Sequence, residues 1–138
     1  MSGLDFLDSN VLVYAYDPND ARKQSMAQPL VEKALAGDGI ASIQVLSEFA
    51  VILLYKLTPR AKPEEVAEIL DSLTPIKLVA LDRGVVHRAL EACSTYGIHF
   101  YDAMIVAAAE RGGCARILSE DLNAGQKYFQ IPVENPFI

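Results

Sequence analysis

Cysteine is scarce. Cys93 and Cys114 are the only two and form no CxxC pair, so neither a disulfide framework nor a cysteine zinc cluster is available. They read as buried free thiols of a reducing cytosol. The opening residues, MSGLDFLDSN, lack both the basic segment and the long apolar segment of a secretory signal. A cytoplasmic protein is therefore expected. The longest apolar stretch, Ile40 to Tyr55, is interrupted by Ser42, Gln44, Ser47 and Glu48. It falls short of the roughly 18 uninterrupted apolar residues that a membrane span needs, and reads as a core helix. Positive charge is also short: 12 Lys and Arg face 18 Asp and Glu, a net charge of −6. That balance excludes a protein that holds nucleic acid by bulk positive charge, so any nucleic-acid role must come from a local site.

What is present is an ordinary globular balance, 51% apolar and 22% charged over 138 residues, which fits a single domain spanning 1–138. Leu4 to Leu7 reads as a strand, followed by a loop and a short helical turn before Asp17-Pro18-Asn19-Asp20. Helical spacing over Asp20 to Ala36 leads through Gly37-Asp38-Gly39 to a strand at Ile40 to Ser42. Ser42 caps a helix to about Leu57, and Pro63 opens another that runs to Leu73. A strand over Ile76 to Leu81 precedes a helix capped by Asp82 and closed at Gly97, then a helix over Tyr101 to Arg111. Arg116 to Leu118 gives a fourth strand and Gln130 to Val133 a weak fifth. Strands separated by helices predict an α/β domain, with a mainly parallel central sheet of four or five strands flanked by helices. Ligand sites in such domains lie beyond the C-terminal ends of the strands.

Three acids stand alone in apolar surroundings. Asp8 is the only charge between Phe6 and Tyr16, Glu48 the only one between Ile40 and Tyr55, and Asp102 the only one between Ile98 and Ala109 with His99 neutral. An unpaired buried carboxylate costs several kcal/mol, so it protonates, pairs with a cation or joins others around a metal. No Lys or Arg lies within these stretches. Asp8 follows the first strand, Asp121 follows the fourth, and Glu48 and Asp102 sit on helices that can face the same cleft. Hard oxygen donors with little histidine select Mg²⁺ or Mn²⁺ over zinc, and a metal-activated water attacking a phosphodiester is the chemistry they suggest. Other readings stand beside this one. Asp8 can be a turn residue bonding the backbone of Ser9-Asn10, Glu48 the partner of a distant Arg, Asp102 a charge favoured by its helix N-terminus, and Asp121 ordinary loop chemistry. Glu120 can replace Asp121 or add a ligand.

The residues also carry a resemblance. The run from Phe6 to Asp17, FLDSNVLVYAYD, resembles the opening motif of PIN-domain nucleases. Ser47-Glu48-Phe49, the run FYDAMIVAAA from Phe100 to Ala109, and the run ILSEDLNAGQ from Ile117 to Gln126 resemble the later motifs in order and spacing. The subgroup it is most similar to is the VapC toxins of toxin–antitoxin pairs. The resemblance implies a PIN-like fold and RNA hydrolysis, with Asp8, Glu48, Asp102 and Asp121 as catalytic ligands of Mg²⁺ or Mn²⁺. It also implies that Asn10 and Ser119 orient ligands or water. It further implies a homodimer and a small VapB-like antitoxin whose segment presents an arginine to the acids. His99 gains nothing from the resemblance and reads as structural.

Phosphate contacts need local cations, for which Arg22, Lys23, Lys56, Arg60, Lys62, Arg88 and Arg116 are available. Lys56, Arg60 and Lys62 follow the helix bearing Glu48 and are the first choice for a groove rim. The apolar faces of the helices at Asp20 to Ala36 and Pro63 to Leu73 serve either the core or a partner surface. Three other functions compete with a toxin: an RNA-processing nuclease, a non-catalytic PIN scaffold that binds RNA or protein, and phosphoryl transfer through an aspartyl nucleophile. The last would normally place a second Asp where Asn10 stands.

Overall fold

The computed structural model describes residues 3–138. Strand β1 (Asp5–Leu7) is followed by helices α1 (Ser9–Tyr16) and α2 (Ala21–Lys33), then β2 (Gly39–Ser42). Helices α3 (Ile43–Tyr55) and α4 (Pro63–Ser72) lead to β3 (Lys77–Val79). Helices α5 (Arg83–Tyr96) and α6 (Phe100–Arg111) lead to β4 (Arg116–Leu118), and the short strands β5 (Lys127–Tyr128) and β6 (Ile131–Glu134) follow. The sheet order is β3-β2-β1-β4-β6-β5. All pairings are parallel except the β5–β6 hairpin. The expected α/β architecture is therefore present, with a two-residue strand beyond those anticipated.

The connections from β1 to β2, β2 to β3 and β3 to β4 each carry two helices, while β4 reaches β6 through β5 without one; central strands covered on both faces must be apolar on both sides. Phe6, Leu7, Ile40, Ala41, Ile117 and Leu118 are accordingly buried. Local signals set most helix ends. The Asp20 side chain accepts from Lys23 N, Ser42 Oγ from Val45 N, and Asp82 Oδ1 from Val85 N, each supplying an acceptor for an otherwise free first-turn N–H. Pro63 opens α4, where Glu65 accepts from Lys62 N at 3.0 Å. Gly97 closes α5 in the left-handed conformation, φ +66°, a geometry that side chains with a Cβ resist.

The N-terminal segment differs from the expectation of strand, loop and short turn. Helix α1 starts directly after Asp8. Val11, Leu12, Val13 and Ala15 are all buried, so the apolar run carries no readable period. Helices α2 and α4 turn their apolar residues inward, with Ala27, Val31 and Val66 buried. The large exposed apolar side chains instead include Ile43, Val51 and Tyr55 on α3 and Val86 and Leu90 on α5. Cys114 is buried and Cys93 half-buried, both as free thiols. Among the described residues no helix is long and apolar enough to cross a membrane.

At the N-terminal end of the sheet, buried Asp5 binds Arg116 Nε at 2.7 Å and Lys33 Nζ at 3.0 Å. Burial pushes the Asp5 carboxyl up, but the hydrogen bonds and charges of Arg116 and Lys33 outweigh it and hold the group below its ordinary value. Arg116 thus serves this ion pair at the end of the strands opposite Asp8, and not a phosphate-binding rim.

Candidate active site

The strand order reverses at β1, which lies between β2 and β4. The C-terminal ends of β1 and β4 flank this switch point, where open α/β sheets place their ligands. Asp8 leaves β1 there, 5% exposed. One carboxylate oxygen accepts from Ser9 N at 2.8 Å and the other from Ser119 Oγ at 2.6 Å. Burial raises the Asp8 pKa to about 6; the donors Ser119 and Ser9 oppose the rise, and the charges of Glu48 and Asp121 add to it. Ser119, at the end of β4, also accepts from Asp121 N at 3.1 Å and Leu122 N at 3.3 Å, so a single hydroxyl shapes the loop bearing Asp121.

Glu48 lies on α3. Its Oε2 accepts from Ser9 Oγ at 3.1 Å and its Oε1 from Gln44 Nε2 at 2.8 Å. The same Gln44 nitrogen donates to the Tyr101 carbonyl at 3.1 Å, next to Asp102 in the first turn of α6. Burial raises the Asp102 pKa; nearby His99 lowers it, while Asp121 and Glu48 raise it further. His99 caps α6, its Nδ1 accepting from Tyr101 N at 3.2 Å, which is the structural role expected of it. Asn10 donates to Asp121 Oδ2 at 3.2 Å and accepts from Glu120 N at 3.2 Å. Asp8 and Asp102 each feel the charges of Glu48 and Asp121; Ser9, Asn10 and Ser119 tie Asp8, Glu48 and Asp121 together by hydrogen bonds, and Gln44 ties Glu48 to the backbone beside Asp102.

Glu120 has other partners. Its carboxylate accepts from Tyr14 Oη at 2.9 Å and is ion-paired with Lys23, so both oxygens are occupied away from the other acids' hydrogen-bond partners. None of Asp8, Glu48, Asp102 and Asp121 has such a cation: every ion pair among the described residues involves other carboxylates. Of the four, Asp8 is buried, Glu48 and Asp102 are half-buried and Asp121 is exposed; Asp5, buried like Asp8, has two cations. This contrast fits a site that takes its positive charge from solution. The donors are hard carboxylate oxygens with no thiolate among them, suited to Mg²⁺ or Mn²⁺. Among the described residues no three acidic, His or Cys side chains come close enough together to hold one metal ion between them. An ion held by one or two carboxylates and its own waters, the usual habit of Mg²⁺, needs no cage.

Of the expected phosphate-binding cations, Lys23 pairs with Glu120, Arg88 with Glu91 and Glu110, and Arg116 with Asp5 and Glu134; Arg22 donates to the Phe137 carbonyl. Lys56, Arg60 and Lys62 are exposed and make no ion pair among the described residues. Lys56 shares a groove of about 290 Å³ with Ser47, Glu48, Val51 and Ile52, which joins one of these cations to one of the four acids. Sequence reasoning did not single out Ser9, Gln44 or Tyr14. Gln44 precedes Glu48 by four residues, the spacing of facing side chains on a helix, and that was the one available signal. The contacts of Ser9 and Tyr14 join residues 39 and 106 apart.

A family model described as PIN domain matches residues 6–129. Comparison with curated protein sequences finds no match. Among solved structures, the fold is similar to that of FitAB bound to an IR36 DNA fragment, with TM-score 0.71, 18% identity and coverage of 98% of this chain and 96% of that one. A toxin–antitoxin complex from Klebsiella pneumoniae gives TM-score 0.67 and 17% identity, covering 96% of this chain and 97% of the other. VapC20 of Mycobacterium tuberculosis, described as a sarcin-ricin loop cleaving toxin, gives TM-score 0.63 and 19% identity, covering 85% and 91%.

Proposed function

The chain belongs to the PIN-domain family, and from that premise we propose that it is a metal-dependent ribonuclease, the toxin of a toxin–antitoxin pair. The observation that carries this reading is the cluster of Asp8, Glu48, Asp102 and Asp121, in which the charges of Glu48 and Asp121 raise the pKa of Asp8 and of Asp102. The four have no Lys or Arg partner among the described residues, His99 beside Asp102 being the nearby basic group. One or two of these carboxylates would hold Mg²⁺ or Mn²⁺ directly, and the others would act on it through its waters. When bound, the ion would supply a nucleophilic water and stabilise charge at the scissile phosphate.

The rest of the work falls to the chain itself. Ser119 and Ser9 hold Asp8 in one rotamer, Asn10 restrains Asp121, and Ser9 with Gln44 restrains Glu48. With its pKa near 6, Asp8 carries a proton in mildly acidic solution and is ionised at neutral pH, ready for a cation. Lys56, Arg60 and Lys62 meet the RNA backbone along the groove from Glu48. An antitoxin segment bearing an arginine would satisfy the same acids and so block them. The exposed apolar residues of α3 and α5 offer surfaces for that partner or for a second copy of the chain, in the cytoplasm where the RNA lies.

Phosphoryl transfer through an aspartyl nucleophile is less well supported, because Asn10 stands where a second Asp would be expected and no lysine pairs with Asp8 among the described residues. The test of the proposal has two arms. Purified protein should cleave RNA, lose the activity in chelator and regain it with Mn²⁺. Expression should arrest growth, and co-expression of a small neighbouring open reading frame should relieve the arrest. Cleavage without arrest would favour an RNA-processing nuclease; no cleavage under any metal condition would leave a binding scaffold.

A further inference from the structure

Gln44 is 91% buried, and its Oε1 is enclosed without any hydrogen-bond partner. Buried polar atoms almost always find a partner, so this one requires an explanation. The amide orientation supplies it. Nε2 faces two acceptors, Glu48 Oε1 at 2.8 Å and the Tyr101 carbonyl at 3.1 Å. Turning the amide over would set its oxygen against both of them. The orientation is therefore forced, and the unpartnered oxygen follows from it. A methionine or leucine would fill similar volume without stranding an oxygen. The Tyr101 carbonyl sits in the first turn of α6, so its helix supplies a donor without Gln44.

Resting on the metal-nuclease reading, we propose that Gln44 is a positioning residue for the cation site, pinning Glu48 to the start of α6 and so fixing its span to Asp102. Two separate helices contribute these acids. Apart from Gln44, the Glu48 carboxylate is held by Ser9 on α1, and among the described residues only the Gln44 amide links it by hydrogen bonds to the α6 segment that carries Asp102. Partners of this kind act through ligand orientation, and their loss typically costs about 10- to 100-fold in metal affinity.

The test compares Mn²⁺ binding by calorimetry with metal-free thermal unfolding for wild type, Gln44→Met and Gln44→Leu. Both variants should unfold at or above the wild-type midpoint, since an enclosed unpartnered oxygen is gone, yet bind Mn²⁺ about 10-fold or more weakly. The Mn²⁺ concentration for half-maximal RNA cleavage should rise by the same factor. Wild-type affinity in both variants would overturn this inference alone. Failure of both to fold would also overturn it, by showing that the amide serves the core. A wild type that binds no Mn²⁺ would overturn the parent reading and this inference with it.

Discussion

The Ser119 hydroxyl donates to Asp8 across 2.6 Å, from the end of β4 to the end of β1, while accepting from the backbone N–H groups of Asp121 and Leu122. One side chain thus ties the two strand ends that flank the switch point and places two of the acids. Ser119→Ala removes the main donor that opposes the upward pKa shift of Asp8 and leaves two N–H groups without their acceptor. Stability should fall by about 1–3 kcal/mol, as for other buried polar groups left unpaired. Urea unfolding measures this, and RNA cleavage should fall with it. An unchanged midpoint and rate would show that the tie has no consequence.

The raised pKa of Asp8 makes a signed prediction. Its folded value, about 6, lies above the unfolded value of 3.8, so the folded state binds the proton more tightly. Metal-free stability should therefore decline as pH rises from about 4 to 6, and the penalty should persist above that window. Asp8→Asn cannot ionise. It should be more stable than wild type at pH 7 by on the order of 1–3 kcal/mol, with the difference vanishing near pH 4. Paired unfolding curves across pH decide the matter. A variant less stable than wild type throughout would contradict the burial argument.

Asp5 titrates in the opposite sense. Its folded pKa is lowered, so it contributes stability above its unfolded value that is lost as pH falls through the folded one. Arg116→Leu leaves this buried acid with Lys33 alone and should destabilise the protein by about 3 kcal/mol. Cleavage by the folded fraction should be unaffected, because the pair lies at the other end of the strands. A selective loss of RNA binding in this variant would return Arg116 to the substrate groove.

Lys23 holds Glu120 together with Tyr14, and its ammonium also lies 4.5 Å from the centre of the Tyr14 ring. Lys23→Met should release Glu120 without opening the core, since these groups are partly solvent-exposed. Amide exchange at Glu120 and Asp121 should speed up while strand amides in β1 and β4 keep their protection. Uniformly faster exchange would mean that Lys23 supports the whole fold.

Much of this arrangement is legible in the sequence because burial makes isolated charges conspicuous. Asp8, Glu48 and Asp102 stand out against their apolar neighbours, and Asp121 follows from its place after the fourth strand. Alternation of helices and strands, with caps at Asp20, Ser42 and Asp82, gives the architecture. Pairings between distant segments stay hidden. Nothing near Glu120 announces Lys23, 97 residues away, and nothing near Arg116 announces Asp5, 111 away. The β5–β6 hairpin is obscured for a local reason. Phe129 and Gln130 adopt positive φ at its turn, where glycine or asparagine would have signalled it. Tyr96 Oη, accepting from Phe129 N at 2.7 Å, and Arg88, stacked on the Phe129 ring, hold that geometry.

Asp8, Glu48, Asp102 and Asp121, without a Lys or Arg partner among the described residues, form the proposed metal-dependent ribonuclease site. Its most direct measurement is the rate of RNA cleavage in Mn²⁺ by wild type and by Asp102→Asn, each shown to be folded by circular dichroism. Wild type should cleave in a metal-dependent way, and the variant about 100-fold or more slowly. Equal cleavage by the two proteins, or cleavage that persists in chelator, would contradict this assignment.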